Sequence, residues 1–165
     1  MIANLFIAHS TSKLEQMTGH IEACLNRLTD DQIWRRGSAP ENALGNLVLH
    51  LCGNLGQWLG SHVAGRSDTR DRPAEFAIDA RIGKAELIAR LRAAVTQAKS
   101  DMDAVSEARL AEPVTAGDSQ THVLNVIYQV VGHFQQHTGQ IIFATKLLTQ
   151  EDLGFYVTPS RASKP

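Results

Sequence analysis

The stretch VIYQVVGHFQQHTGQIIFATKLLT, residues 126–149, contains no aspartate, glutamate or arginine and only one lysine. Its apolar residues recur every three or four positions, which predicts one face of a long α-helix. We expect this helix, the fourth of the chain, to span roughly residues 119–148. The residues on the predicted face are Val123, Val126, Val130, His133, Phe134, His137, Ile141, Ala144 and Leu148. Two of them are histidines, so an otherwise apolar face carries groups that can donate, accept or coordinate.

Three earlier segments show the same helical period, and we expect helices over roughly residues 4–28, 42–64 and 84–108. No segment alternates apolar and polar residues as a half-buried strand would. Four helices without a sheet predict an all-α fold, a four-helix bundle. Residues 65–83 (GRSDTRDRPAEFAIDARIG) connect the second and third helices and are long enough to run the length of the bundle. We therefore predict a long crossover there rather than a tight hairpin.

The chain of 165 residues is sized for one domain, which we place at residues 1–157, followed by a flexible tail at 158–165. A formal net charge of −1 provides no field that would attract nucleic acid. The uncharged stretches 42–65 and 119–145 carry too many amides and imidazoles for a membrane span. The two cysteines form no disulfide framework and the N-terminus shows no secretory leader, so we expect a cytoplasmic protein.

The strongest chemical signal is histidine. His133 and His137 are four residues apart, so one face of the fourth helix presents both rings to one metal ion. A pair at this spacing also occurs in helices without a metal, but imidazoles on an apolar face suffer a desolvation cost that a metal would remove. His50 on the second helix is the third candidate. A helical wheel places it at the flank of the apolar arc, beside Asn46 and Asn54, which permits a ligand role without requiring it.

Three neutral histidines leave coordination positions open, which is the arrangement of a catalytic rather than a structural metal site. Zinc, nickel and iron(II) are all suitable ions for such a site. Five amide side chains are candidates to orient the rings from outside the coordination sphere, and each is equally compatible with an ordinary solvated or interhelical amide. They are Asn46, Asn54, Gln129, Gln136 and Gln140.

The remaining histidines, cysteines and tryptophans lack such a pattern. We expect the other histidines at the surface or at helix caps; these are His9, His20, His62 and His122. We expect the cysteines and tryptophans to serve in packing; these are Cys24, Cys52, Trp34 and Trp58. No nucleophile elbow, phosphate loop or zinc-ribbon cysteine set is present in the sequence.

A family resemblance is carried by three stretches: ENALGNLVLHLCGNLGQWLGSHVAG (41–65), RDRPAEF (70–76) and the run 126–149. Over residues 14–153 the chain resembles the DinB-like superfamily of metal-binding four-helix bundles, within one of its uncharacterised subgroups. The resemblance implies a divalent metal, often zinc or nickel, held by His50, His133 and His137, and it implies a long connection between helices two and three. It also implies a homodimer. Some relatives are thiol S-transferases or isomerases that use a low-molecular-weight thiol as cofactor.

Three functions follow as hypotheses. The first is a thiol S-transferase, in which a metal-bound small thiol attacks an electrophilic small-molecule substrate. The second is a metal-dependent hydrolase that activates water, and the third is a non-catalytic metal-binding or stress-response module. No residue can be named from the sequence as a general base.

Arginines are concentrated in the predicted crossover, at positions 66, 70, 72 and 81. Such arginines could hold an acidic group of a substrate or cofactor at the mouth of the bundle. Alternatively, they pair with the neighbouring Asp68, Asp71, Glu75 and Asp79 on a solvated surface. Substitution of Arg72 by alanine would test directly whether a crossover arginine holds such an acidic group.

Overall fold

The computed structural model of the protein describes residues 2–77, 80–117 and 119–155. In the described residues, seven α-helices, a π-helical segment and one β-hairpin follow one another along the chain. They are α1 (Ile2–Asn26), α2 (Asp30–Ile33), α3 (Leu44–Leu55), the π-helical segment Gly56–Val63, α4 (Arg72–Glu75), α5 (Lys84–Asp103), α6 (Glu107–Leu110), β1 (Pro113–Ala116), β2 (Ser119–His122) and α7 (Val123–Thr149). The tail predicted at residues 158–165 lies outside the described residues.

Four long elements form the bundle: α1, α3 with its π-helical continuation, α5 and α7. Helix α1 packs between α5 and α7, and α3 packs against the same two helices. Ion pairs that fix the directions of α1, α5 and α7 are Arg92–Glu22, Lys99–Glu15 and Arg27–Glu151. They make α1 antiparallel to α5 and parallel to α7. The prediction of an all-α bundle is confirmed.

The crossover follows from the direction of α3. Leu44 at the start of α3 shares a cleft with Leu148 near the end of α7, while His50 lies further along α3 opposite His133. Helix α3 is therefore antiparallel to α7, and it runs in the same direction as α5. Two successive parallel helices need a connection that returns along the bundle, and residues 64–83 supply it. No helix in the described part of the chain combines the length and apolarity needed to cross a membrane.

Several predicted boundaries were wrong. The fourth helix begins at Val123 rather than near residue 119, because residues 119–122 pair antiparallel with residues 113–116 in a hairpin. Gly117, with φ of 62°, supplies left-handed backbone in the turn. Strand β2 reads Ser-Gln-Thr-His, so it has no apolar alternation to reveal it. The third helix ends at Asp103, and Ser106 then caps the separate helix α6 by accepting from the Arg109 N–H at 3.1 Å.

The second predicted helix also differs from a uniform α-helix. It is α-helical over Leu44–Leu55 and π-helical over Gly56–Val63. A π-turn holds more residues than an α-turn, so side-chain directions beyond Gly56 depart from those of a helical wheel. The segment ends at Val63, and Gly65, two residues later, has a left-handed φ of 74°.

A glycine allows a close packing contact between α2 and α3. Trp34 is buried, and its indole N–H donates to the Ile82 carbonyl at 3.0 Å, which joins the end of α2 to the end of the crossover. Its ring rests on Gly45 of α3, where an added Cβ would lie 2.7 Å from three ring carbons. No side chain larger than hydrogen fits there without moving the indole.

We expect Gly45→Ala to lower the free energy of unfolding by about 1–3 kcal/mol, because it overpacks the Trp34 contact. The matched control is Gly19→Ala on α1, where an added Cβ meets no atom within 4 Å. Alanine favours helix over glycine by up to about 1 kcal/mol, so the control is expected to be stabilising. Urea unfolding measures both, and a stabilised Gly45→Ala variant would contradict the packing assigned to Trp34.

Candidate metal centre

Three histidine side chains converge between α3 and α7. His50 comes from α3, and His133 and His137 come from successive turns of α7. One ring nitrogen of each lies within 4.8 Å of the other two, and His50 Nε2 is 2.9 Å from His133 Nε2. The rings are nearly perpendicular, with centroids 4.5–5.1 Å apart. The i,i+4 spacing on α7 and the antiparallel approach of α3 thus bring all three predicted metal ligands together.

Two of the rings have an oxygen acceptor at Nδ1. Glu75 Oε2 lies 2.9 Å from His50 Nδ1, and Gln140 Oε1 lies 2.6 Å from His137 Nδ1. These oxygens accept when each Nδ1 carries the proton, and Arg70 Nη2, a donor, also lies 3.0 Å from His50 Nδ1. Arg70 pairs with both oxygens of the Glu75 carboxylate, at 2.6 and 2.8 Å. In the Nδ1-protonated tautomer the Nε2 atoms of His50 and His137 are the ones that can coordinate a metal ion, and His50 Nε2 faces His133 Nε2 at 2.9 Å.

This donor set fits a divalent metal ion. Two nitrogens bonded to one zinc at about 2.0–2.1 Å are roughly 3.3 Å apart in tetrahedral geometry. The separations between the ring nitrogens, from 2.9 Å to no more than 4.8 Å, bracket that value. A carboxylate or amide oxygen on the far nitrogen of a ligating imidazole is the usual outer-shell arrangement. His50, His133 and His137 could therefore hold an ion.

Burial keeps the rings in the form that binds metals. Desolvation lowers the pKa of His50, against the opposing effect of the Glu75 carboxylate. The pKa of His133 is lowered to about 4, first by desolvation and then by the neighbouring His137, His50 and Arg70. Both imidazoles are neutral at neutral pH, so no proton has to be removed from a cationic ring before a metal binds.

Sequence reasoning treated Glu75 only as a surface partner of arginines, and its contact with His50 is new. Asp71 caps α4 by accepting from the Ala74 N–H at 3.1 Å, and Pro73 is compatible with this first turn. The turn directs Glu75 inward, where its side chain is only 8% exposed. The sequence DRPAE (71–75) has an N-cap aspartate with a proline two residues later. This is a helix-start signal that could have revealed the turn.

The chain is similar to one described family and to solved structures. Residues 1–161 match the family described as a protein of unknown function, DUF1572. The chain belongs to the DUF1572 family. A solved structure described as a conserved protein from Enterococcus faecalis is similar, with a TM-score of 0.73 and 16% identity over 87% of this chain and 97% of the other. At that identity the likeness shows the fold alone. No curated protein matches the sequence.

The five amides of this DUF1572 protein divide between the two readings given for them. Gln140 is the one that contacts a histidine of the cluster. Asn46 instead fastens the crossover, because its Nδ2 donates to the carbonyls of Glu75 at 2.9 Å and Ala77 at 3.2 Å. Gln129 and Gln136 are exposed, and Asn54 is buried beside the cluster without contacting a ring.

The crossover arginines of the DUF1572 protein divide between the two readings. Arg70 is buried, pairs with Glu75 and donates to Gln57 Oε1 at 2.8 Å, so it forms an internal ion pair. Arg66 pairs with Asp101 on α5 rather than with a crossover carboxylate. Arg72 is exposed, and its guanidinium carbon lies 5.3 Å from the centre of the Phe76 ring. Asp79 lies outside the described residues.

Two clefts flank the histidines. One, of about 340 Å³, contains His50 and His133 and is termed the histidine cleft. Its other lining residues are Asn54, Gln57, Trp58, Arg70, Arg72, Gln129 and Val130. The second, of about 690 Å³, lies on the side of His137 and has mainly apolar walls from α3 and α7. The cluster is therefore accessible to small molecules.

The cysteines, tryptophans and remaining histidines contribute no side chain to the cluster. Cys24 and Trp34 are buried, and Cys52 is half-buried with its thiol pKa raised to about 12 by desolvation. Trp58, predicted only to pack, forms a wall of the histidine cleft. His9 and His122 are exposed, as expected for histidines at the surface or at caps. His20 stacks on Phe155 and His62 lies against Trp58, with centroids 4.2 and 5.2 Å apart.

Proposed function

We propose that this protein is a divalent-metal-dependent enzyme of the DinB-like superfamily, with His50, His133 and His137 as the metal ligands. The observation that carries the proposal is the convergence of three imidazoles, two of which have Nδ1–H groups held by Glu75 and Gln140. Those hydrogen bonds orient the Nε2 atoms before any ion arrives. Zinc, nickel and iron(II) all accept neutral imidazole ligands.

Three protein ligands leave room for a substrate atom, which distinguishes a catalytic from a closed structural site. A metal ion at this centre would act as a Lewis acid that lowers the pKa of a thiol or a water molecule in its open position. The histidine cleft gives a small molecule access to that position. The roles of the chain are to hold the reactants together and to present the ligand nitrogens in fixed orientations.

We propose thiol S-transfer as the reaction. Among the described residues that line the histidine cleft, none is an aspartate or glutamate, and Glu75 is occupied by Arg70 and His50. A nucleophile at this centre therefore loses its proton without a carboxylate base. A metal ion would lower the pKa of either nucleophile, but a thiol starts at about 8.5 and water at about 15.7, so the thiol needs the smaller shift. This favours a low-molecular-weight thiol over water, and hence a transferase over a hydrolase.

A homodimer and a cytoplasmic location belong to the same proposal. Exposed apolar side chains on α7 support the dimer, since Tyr128 is 73% and Phe143 64% exposed. Leu124 and Leu147 are exposed on the same helix. The proposal also includes a small-molecule substrate as a partner, and it includes neither nucleic acid nor a membrane.

The experiment is a conjugation assay with 1-chloro-2,4-dinitrobenzene, in which the thiol sulfur bonds to the ring carbon, chloride leaves and the thiol proton passes to solvent. Glutathione, cysteine and 2-mercaptoethanol are compared in metal-loaded and metal-free protein. We expect turnover with at least one thiol that needs both thiol and metal and falls at least about 100-fold in His133→Ala.

The other outcomes separate the alternatives. Hydrolysis of an activated ester without added thiol would replace the transferase by a hydrolase. The absence of metal-dependent turnover in every assay would contradict both enzymatic readings. In that case, a thermal shift on addition of a ligand would favour a non-catalytic binding module.

A further inference from the structure

The histidine cleft contains a buried amide without a partner. Asn54 lies one helical turn beyond His50 on α3 and is 9% exposed. Its side chain makes no hydrogen bond to any of the described residues, although it lines the cleft. Its amide is not among the fully buried polar groups that lack a partner, so its polar atoms are open to water through the cleft. Asn54 therefore offers an unused N–H donor to a molecule in the cleft.

The same cleft contains one uncompensated positive charge. Of its two arginines, Arg70 is neutralised by Glu75. Arg72 has no carboxylate partner within the part of the chain that the structure describes, and its guanidinium lies over the Phe76 ring, 5.3 Å from the centroid. The Phe76 ring in turn is 5.0 Å from that of His50. Arg72 is thus held at the edge of the cleft with its hydrogen-bonding capacity unused.

Size and wall composition limit what the cleft can hold. Its volume of about 340 Å³ is near the lower end of the range of roughly 300–1,000 Å³ for small-molecule pockets. Trp58 and Val130 form apolar walls, whereas Asn54 and Arg72 provide polar groups. Arg72 provides a single positive charge on a planar guanidinium. A carboxylate matches it, because a carboxylate is a monoanion that arginine can bind through two parallel hydrogen bonds.

We propose that the histidine cleft binds a small molecule that carries one carboxylate on an apolar body, with Arg72 and Asn54 holding the carboxylate. The inference rests on the proposed function, since it names the substrate class of the same site. The apolar body packs against Trp58 and Val130. The carboxylate accepts hydrogen bonds from the Arg72 guanidinium and from Asn54 Nδ2, in place of the water that these donors face in the free protein.

The test uses the full-length, metal-free protein, so that the carboxylate cannot be held by a metal ion. Benzoate is the probe, and benzamide is its neutral analogue of the same shape. The indole N–H resonance of Trp58 reports on the cleft, while that of Trp34, which donates to Ile82 away from the cleft, serves as an internal control. We expect benzoate to shift the Trp58 resonance saturably and the Trp34 resonance negligibly, with benzamide at least about 10-fold weaker.

Two variants assign the carboxylate contacts. Arg72→Gln and Asn54→Leu are each expected to weaken benzoate binding by about 10-fold, because each removes one donor to a charged group. The matched control is Arg92→Gln, which removes an exposed arginine that pairs with Glu22 on another face of the bundle. It is expected to bind benzoate like the parent, and an unchanged Trp34 resonance reports that each variant is folded.

Three results would overturn the inference. One is the absence of a saturable Trp58 shift with benzoate, and another is unchanged affinity in Arg72→Gln. The third is tighter binding of phenyl phosphate than of benzoate, which would replace the carboxylate by a phosphate. Repeating the titration with metal-loaded protein keeps the two proposals apart. Benzoate that binds only with metal, equally in parent and Arg72→Gln, would retain the metal centre and reject this assignment.

Discussion

Alanine substitution of His50, His133 or His137 is expected to remove the bound metal ion, whereas His9→Ala is expected to retain it. Each of the three contributes one ring nitrogen to a group within 4.8 Å. Loss of an outer-shell partner typically weakens metal binding by about 10–100-fold. Loss of a direct ligand should exceed that, so we expect affinity to fall at least about 100-fold. His9 is exposed on α1 and takes no part in the cluster.

Elemental analysis of tag-free protein measures this effect directly. The parent and His9→Ala should hold close to one equivalent of metal after reconstitution, and the three cluster variants should hold almost none. Thermal unfolding gives a second readout. An ion at 100 times its dissociation constant stabilises the folded state by about 2.7 kcal/mol, or roughly 5–10 °C for a chain of this size. That increment should be absent from the cluster variants.

A parent that takes up neither zinc, nickel nor iron(II) would contradict the metal centre. The cluster would then be a hydrogen-bonded group, in which His133 Nε2–H donates to His50 Nε2 at 2.9 Å. Stoichiometric metal in the parent that persists in all three variants would place the ion elsewhere. Either result leaves the bundle itself unaffected, because its core is formed by aliphatic and aromatic side chains.

The sequence was sufficient to predict the helix that supplies two of the histidines, α7. The uncharged run with its three-and-four period predicts a buried face on α7, and Val130, Phe134 and Ile141 are buried as expected. His133 and His137 follow because the i,i+4 spacing is a local property of any α-helix. Local periodicity thus predicted both the element and the pair of rings that it carries.

The position of His50 depended on a contact that no local pattern contains. A helical wheel placed it at the flank of the apolar arc, yet it is only 6% exposed. The crossover covers that flank, since Glu75 binds its ring and Phe76 lies against it. Glu75 is 25 residues away from His50 in sequence, so a single-helix projection cannot show the contact. Burial by a connecting segment is a tertiary effect.

The π-helical segment was missed by the sequence analysis for a different reason. A projection at 3.6 residues per turn assumes one uniform helix, and the chain departs from it at Gly56. Trp58 therefore lines the histidine cleft rather than serving only in the core. Glycines at positions 53, 56 and 60 interrupt this part of the sequence and weaken the α-helix there. They were the available signal, although glycine alone does not distinguish a π-turn from a helix end.

The second large effect is expected from Gly53→Ala, which leaves every histidine in place and should still weaken metal binding by about 10–100-fold. Gly53 lies on α3, three residues after His50. A Cβ at this position would be 2.8 Å from Glu75 Cδ and 3.1 Å from Arg70 Nε. Glu75 is paired with Arg70 and with His50, so the methyl group can be accommodated only if these side chains leave their present positions. The methyl group would displace the crossover and remove the carboxylate from His50 Nδ1.

The matched control is Gly56→Ala, one turn further along, where an added Cβ meets no atom within 4 Å. It should retain the metal affinity of the parent. We also expect Gly53→Ala to lower the free energy of unfolding by about 1–3 kcal/mol, as overpacking of a buried contact does. Chelator competition well below the unfolding temperatures of both variants separates the loss of affinity from the loss of stability.

Glu75→Gln tests the same contact from the other side. The amide oxygen can still accept from His50 Nδ1, but the buried Arg70 loses its counter-charge, which typically destabilises a protein by about 3–5 kcal/mol. We therefore expect this variant to lose more stability than Gly53→Ala and less metal affinity. A Gly53→Ala protein that binds metal as tightly as Gly56→Ala would show that the carboxylate is not needed to position His50. The function of the crossover would then be limited to covering the bundle.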